Sequence, residues 1–227
     1  MTDIFLRTEM LLGRVSMKKL KDSKVLIFGL GGVGSYTALA IARSGVGKMV
    51  LVDNDTVSAT NINRQALAFQ STIGRYKTEV MREILLDINP ELEIEIRTTF
   101  VLKDNVEDII TYDIDYIVDA IDTVTAKLTI AEIADREEIP LISCMGTGNK
   151  LGSAGFCVTD ISKTHTCGLA KAVRKGLRDE GIEHLDVLFS TESVVQTGQR
   201  VPSSIAYTPS VAGIFIAEHI IKRIISE

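Results

Sequence analysis

The sequence offers no pair of cysteines at C-x-x-C spacing and none placed as metal ligands. Its three cysteines, Cys144, Cys157 and Cys167, are an odd number, and the opening MTDIFLRTEM has no apolar leader core. Together these fit a reducing cytoplasm. Positive charge is also short: 25 Lys and Arg against 30 Asp and Glu give a net charge of −5. That excludes attraction of nucleic acid over the whole surface and leaves room only for a local basic patch. No apolar run is long enough to span a bilayer, since the most apolar tail segment, Val211 to Ile225, is broken by Glu218, His219, Lys222 and Arg223. Missing too are any long linker, internal repeat or low-complexity tract. With 227 residues, 45% hydrophobic and 24% charged, the chain is expected to form a single domain over 1–227.

What is present is concentrated first in Lys24 to Asp55, KVLIFGLGGVGSYTALAIARSGVGKMVLVDND. An apolar run, Val25 to Phe28, meets Gly29-Leu30-Gly31-Gly32-Val33-Gly34; a helical pattern follows, then a second apolar run ending on Asp53. This order of strand, glycine turn, helix and strand places a phosphate on a helix N-terminus. Gly29 permits the tight turn, Gly31 and Gly32 let backbone approach phosphate, and Gly34 lets the helix lie close to the strand. Asp53 is placed to accept hydrogen bonds from ribose hydroxyls. The motif indicates an adenine nucleotide without saying which.

Alternation continues along the chain. Strands are expected at Lys48–Asp53, Leu92–Thr98, Tyr116–Asp119 and Pro140–Met145, and helices at Lys77–Ile88, Asp104–Thr111 and Thr125–Glu137. Asn89-Pro90 stops the Lys77 helix. Residues 4–20 read as a short helical arm. The pattern predicts an α/β, Rossmann-like fold with a mainly parallel, doubly wound sheet. Gly29, Asp53, Asp119 and Cys144 all fall at strand carboxyl ends, where ligands bind in such sheets. Beyond Gly148 the pattern is less regular: strands at Gly155–Asp160 and Leu185–Phe189 flank a helix at Leu169–Glu180, and Glu192–Pro209 reads as a polar loop before the C-terminal helix. The chain thus divides into a nucleotide half at about 21–145 and a substrate-side half at about 146–227.

A glycine turn and Asp53 would nearly suffice for NAD. This sequence supplies more: Asp55, then Asn61-Ile62-Asn63-Arg64-Gln65, Lys77 opening a helix, and Asp119-Ala120-Ile121-Asp122. A guanidinium and an ammonium offset the charge of a triphosphate, and a carboxylate beside them suits Mg²⁺, which takes one or two protein carboxylates plus phosphate oxygens. ATP with Mg²⁺ is therefore favoured. Singly, each residue has a plainer role: Asn61 and Gln65 can satisfy loop backbone, Lys77 can be a surface charge, and Asp122 can cap the helix near Thr125.

The ordered set G-x-G-G-x-G, D-x-D, N-x-x-R-Q, G-x-x-K and D-x-x-D resembles the adenylyltransferases related to ubiquitin-activating enzyme, over about residues 7–145. The resemblance implies that ATP adenylates a carboxylate with release of pyrophosphate. By matching position it implies Asp53 on the ribose, Asp55 near ribose or metal, Asn61, Arg64, Gln65 and Lys77 on phosphates, and Asp122 on Mg²⁺. The segment Arg7 to Gly13 resembles the arm whose arginine reaches into a partner subunit's site, which implies a homodimer and makes Arg7 a candidate catalytic finger.

The later segments Pro140–Lys150, Asp160–His165, Phe189–Glu192 and Pro202–Ser204 resemble the tRNA threonylcarbamoyladenosine dehydratases. That resemblance implies cyclisation of a modified adenosine beside the anticodon. No cysteine lies between Val194 and Thr208, so a loop thioester is not expected. Lys163, Lys171, Arg174, Lys175 and Arg178 concentrate positive charge with His165 in this acidic chain, and the last four basic residues recur at helical spacing. They are candidates for tRNA phosphate contacts, although a solvated helix face has the same look. Cys144 and Cys157 read as buried small hydrophobes, and Cys167 lies in a turn beside His165. Two rivals stay open: an activator of a sulphur-carrier or ubiquitin-like protein, with sulphur-relay partners, and a non-catalytic NAD- or nucleotide-binding module.

Overall fold

A computed structural model describes residues 4–199 and 201–226. Its core is a seven-stranded sheet of order β3-β2-β1-β4-β5-β7-β6. The strands are β1 (Lys24–Phe28), β2 (Lys48–Val52), β3 (Glu93–Arg97), β4 (Tyr116–Asp119), β5 (Leu141–Cys144), β6 (Phe156–Asp160) and β7 (Asp186–Ser190). All neighbours pair in parallel except β6, which runs antiparallel to β7 at the edge.

The helices are α1 (Leu6–Asp22), α2 (Gly34–Ser44), α3 (Lys77–Ile88), α4 (Val106–Ile109), α5 (Val124–Arg136), α6 (Gly168–Asp179) and α7 (Tyr207–Ser226). Side chains alternate along each strand, so β1 sends Val25 and Ile27 to one face and Leu26 and Phe28 to the other. The first face packs on α1, α2, α3 and α7 through Leu20, Ile41, Met81, Leu85, Ile216 and Ile220. The second packs on α4, α5 and α6 through Val106, Ile130, Ile133, Val173 and Leu177. Strands buried on both faces are why their sequences read as continuous apolar runs.

Boundaries moved by a residue or two at most elements. The helix expected over Asp104–Thr111 shrinks to the single turn of α4, because Ile110 leaves the helical region with ψ of 102°. The arm extends to Asp22 and is kinked at Gly13, whose φ is +80°. The C-terminal helix starts a turn earlier than expected, with Pro209 in its first turn, where a missing N–H costs nothing. α3 ends with Asn89 in extended conformation before Pro90. Arg200, inside the expected loop, lies outside the described residues.

From β1 the chain winds outward through β2 to β3, then returns to place β4 on the other side of β1. The loops after β1 and β4 therefore diverge and open a crevice at the strand carboxyl ends.

Candidate active site

The crevice is a cavity of about 740 Å³. Its floor is the turn after β1. Gly29 has φ of +88°, and a β-carbon there would stand 2.8 Å from the Ala120 carbonyl oxygen, so only glycine fits between the diverging loops. A β-carbon on Gly34 would stand 1.8 Å from the Gly29 carbonyl, which fixes how closely α2 begins against the strand. Gly29, Gly31 and Gly32 line the cavity; Gly34 lies behind them, outside its wall.

Asp53, just past β2, has its carboxylate built into the turn. One oxygen accepts from the Leu30 backbone N–H at 2.7 Å and the other from that of Asp55 at 2.8 Å. Burial pushes its carboxyl above the ordinary carboxylate range, against the pull of Lys77 and of those two backbone donors. Lys77 is the first residue of α3 and only 5% exposed. The Lys77 N–H donates to the Asp55 carbonyl at 3.0 Å, and its ammonium reaches the Asp55 carboxylate at 2.7 Å and Asp53 at 3.9 Å. A buried cation at a helix N-terminus opposes the helix dipole, so the position calls for anions around it. Asp55, whose side chain is 59% exposed, is the one that an incoming phosphate can replace.

The third wall is the loop carrying Asn61, Arg64 and Gln65, all lining the cavity. Asn61 caps its own turn by accepting from the Ser58 N–H at 2.9 Å, so it performs the plain backbone duty. The Arg64 guanidinium donates to the Thr60 carbonyl at 2.8 Å and to Asn63 Oδ1 at 3.0 Å. The Ala66 N–H donates to Ser35 Oγ, which in turn donates to the Gly31 carbonyl, so this loop is tied to the glycine turn. Gln65 is buried, and its Oε1 has no hydrogen-bond partner among the described residues. A buried acceptor left unpaired costs about 1–3 kcal/mol, which a hydroxyl or amine donor of a ligand in the cavity would relieve. The cations Lys77 and Arg64, both lining the cavity, fit a bound triphosphate.

Asp122 faces the cavity from the β4–α5 loop, exposed and with no hydrogen-bond or ion-pair partner among the described residues. It does not cap α5: the cap position is Thr123, and no side chain bonds there. The Asp122 carboxylate is thus free to meet a cation. Asp119, three residues earlier, does something else. It is fully buried, paired at 2.9 Å with the equally buried Lys127 ammonium, and accepts from Ser143 Oγ at 2.6 Å and the Ile121 N–H at 3.1 Å. Lys127 also donates to Ser143 Oγ and the Cys144 carbonyl. This network ties β4, β5 and α5 together beneath the loop that presents Asp122. Lys127 is absent from the sequence-derived set, yet a signal existed: it interrupts the apolar face of α5 that includes Ala126, Ile130 and Ala134.

Cys144 lines the cavity but is buried, and burial pushes its thiol up to about 12, so it stays protonated at neutral pH. Cys167 caps α6, its sulfur accepting from the Ala170 N–H at 3.5 Å. His165 is turned elsewhere, edge-on to the Phe189 ring at 5.3 Å. Cys157 is half-buried in β6.

Two groups of expected residues lie apart from this crevice. Arg7 is exposed near the start of α1 and does not line the cavity. Lys163, Lys171, Lys175 and Arg178 are exposed on and beside α6. Arg174 departs from the expected common face: its guanidinium donates to Thr164 Oγ1 at 2.6 Å, to the Thr164 carbonyl at 3.0 Å and to the Ile161 carbonyl at 3.3 Å. It anchors the turn before α6, because at that position the helix faces its own preceding loop.

A glycine turn, a carboxylate at the end of β2 and two cations lining one crevice at the switch point of a doubly wound sheet define a nucleotide-binding protein of the Rossmann-like class. The chain belongs to the ThiF family, whose model matches residues 5–227. It is 40% identical to the tRNA threonylcarbamoyladenosine dehydratase of Bacillus subtilis over 241 aligned residues, covering 98% of this chain and 95% of that protein. The structure matches Escherichia coli tRNA N6-threonylcarbamoyladenosine dehydratase, TcdA, in complex with ATP, with a TM-score of 0.93 and 33% identity, covering 98% and 93% of the two chains. The match to the same protein in complex with AMP has a TM-score of 0.92 and 32% identity, covering 97% and 93%. Among the described residues no helix is long and apolar enough to cross a membrane.

Proposed function

We propose that the protein is an ATP-dependent tRNA threonylcarbamoyladenosine dehydratase that adenylates the threonyl carboxylate and closes a ring through the substrate's own ureido nitrogen. The observation that carries this reading is a pair of cations that fits a triphosphate, Lys77 and Arg64, lining the cavity of a chain similar over nearly its whole length to dehydratases.

A carboxylate is a poor electrophile because its leaving group would be oxide. Attack by one of its oxygens on the α-phosphorus of ATP releases pyrophosphate and makes that oxygen part of AMP. The ureido N–H nitrogen then attacks the acyl carbon, AMP leaves with the oxygen, and the proton is lost to solvent. The tethered nitrogen brings the proximity advantage of an intramolecular step, so no enzyme thioester is needed. Asp53 accepts the ribose hydroxyls. Asn61, Arg64, Gln65 and Lys77 take the phosphates, with Lys77 exchanging Asp55 for them, and stabilise the charge that develops there. Asp122 is the residue that would hold Mg²⁺, which supplies further neutralisation of phosphate charge.

Arg7 completes the site from a second copy of the chain. Supporting a homodimer, α1 exposes Leu6, Met10, Leu11 and Val15, between 50% and 83%, on the arm that carries Arg7. Lys163, Lys171, Lys175 and Arg178 meet tRNA phosphates. No feature of the described residues supports a sulphur-relay partner. The test is to incubate threonylcarbamoyladenosine-containing tRNA with ATP and the protein and to analyse the nucleosides. Loss of one water from the modified nucleoside, with AMP and pyrophosphate formed, is expected; unchanged nucleoside overturns the reading.

A further inference from the structure

The cavity does not end at Asp122. Its wall also includes Ala126, Met145–Gly148, Leu169 and the segment 201–204. Among the described residues this part of the wall carries no charged side chain, in contrast to the part with Asp53, Arg64 and Lys77. Its outer edge is a strap held at fixed spacing. Asn149, with φ of +56°, donates its N–H to the Ser203 carbonyl at 2.8 Å and takes the Ser203 N–H on its side-chain oxygen at 2.7 Å. The Asn149 carbonyl accepts from the Val195 N–H at 2.7 Å. From the other wall, Asn63 donates to the Ser204 carbonyl at 3.1 Å. A β-carbon on Gly148 would stand 2.8 Å from Pro202, so the strap closes directly on glycine backbone. The result is a slot whose described lining is uncharged.

Leu169, in the first turn of α6, belongs to the slot wall, and the same helix carries Lys171, Lys175 and Arg178 on its exposed face. Lys171 and Lys175 are about 6 Å apart along the axis. With Lys163 from the turn before the helix, these cations have no ion-pair or hydrogen-bond partner among the described residues, in a chain of net charge −5. Asp179, Glu180 and Glu183 follow and weaken the field at the Arg178 end, so Lys171, Lys175 and Lys163 carry most of the attraction.

We infer that the uncharged slot seats the modified adenine base, turned out of its stack, while the α6 face holds the backbone phosphates flanking it. The assignment rests on the dehydratase reading and adds where the modified base sits. An enzyme acting on a base must take it out of the stack or meet it single-stranded, and anticodon-loop bases can be splayed out. Phosphate contacts then set register while the pocket reads the base. A base in the slot directs its acyl arm toward Asp122 and the phosphate site.

The test uses the full-length protein, modified tRNA and the free modified nucleoside. Lys171→Glu/Lys175→Glu should raise the KM for tRNA about tenfold or more and lower the salt slope of tRNA binding by about 0.7 per contact, leaving ATP affinity and turnover of the free nucleoside unchanged. Leu169→Trp, filling the slot, should raise KM for both tRNA and nucleoside at unchanged ATP affinity; if that variant does not fold, Leu169→Phe carries the same test. An active wild type whose tRNA KM and salt slope survive the double reversal overturns the docking face. Unchanged nucleoside KM in the Leu169 variants overturns the slot. A wild type that leaves modified tRNA unchanged overturns the functional reading, and this assignment with it.

Discussion

The two walls of the crevice are held by different means. On the nucleotide side, charges hold one another: Asp53 is clamped by two backbone N–H groups, Lys77 by Asp55, and Asp119 by Lys127 and Ser143. On the far side, side chains hold loop backbone: Asn149 clasps the strap through its own backbone and its side-chain oxygen, and the Glu192 carboxylate accepts from the Gly152 N–H at 2.9 and 3.0 Å and from the Leu151 N–H. The first wall brings the buried Lys77 and the Arg64 guanidinium to the crevice, the charges a phosphate calls for. The second is shaped by loop geometry, and the described residues of it that line the cavity, Met145–Gly148, Leu169 and 201–204, carry no charge.

The contrast breaks most visibly if the nucleotide wall is disarmed. Asp122→Ala and Lys77→Ala should each cut ATP cleavage by about 10²-fold or more. Asp122→Ala should keep the melting temperature, because its carboxylate has no partner among the described residues. Lys77→Ala should lower it somewhat, since Asp53 stays buried with its nearest cation gone. Near-normal turnover in both variants would break the triphosphate argument.

The buried pair beneath Asp122 sharpens the comparison in stability. Lys127→Met leaves Asp119 buried without its cation and should cost about 3–5 kcal/mol in denaturant unfolding. Lys127→Met/Asp119→Asn should recover part of that loss; no recovery would mean that packing rather than charge dominates there.

Asp53 separates binding from folding by pH. Its carboxyl value is raised in the folded state above 3.8, so the group favours folding below that value and loses this contribution as pH rises through the folded value. The melting temperature of Asp53→Asn should therefore equal or exceed that of wild type at neutral pH, with the difference shrinking on acidification. ATP affinity should move oppositely, falling as Asp53 protonates at a pH above that of an ordinary aspartate and already low in the Asn variant. Identical pH profiles of ATP binding would remove Asp53 from the ribose site.

The arm gives a subtler test. Arg7→Ala protein mixed with Lys77→Ala protein should regain activity once subunits exchange, because each mixed dimer contains one complete site. No rescue after demonstrated exchange would reduce Arg7 to a surface charge. The smallest effect is expected at Cys167: Cys167→Ser should retain most activity, with no acid-stable thiol-sensitive adduct to tRNA, because the substrate nitrogen is already tethered.

Legibility in the sequence followed the same division between the walls. Doubly buried strands and the glycine turn are encoded by neighbouring residues, so β1, β2, β4 and the residues at their ends could be read directly. The antiparallel placement of β6 depends on which strand lies beside it and left no local mark. Lys127 could have been noticed as a lysine on an apolar helix face, but its partner lies eight residues back on a strand. Arg174 shares helical spacing with Lys171 and Arg178, and only the fold of the preceding turn turns it inward. Asn149 and Ser203, fifty-four residues apart, meet through loop geometry that no periodicity reveals.

The central claim is that this crevice activates a carboxylate through its own oxygen. Labelling the threonyl carboxylate of the modified tRNA with oxygen-18 and analysing the released nucleotide tests it most directly. The account predicts one labelled oxygen in AMP for each ring closed and none in pyrophosphate. Label in inorganic phosphate with ADP as the nucleotide product, or ring closure with unlabelled AMP, would contradict it.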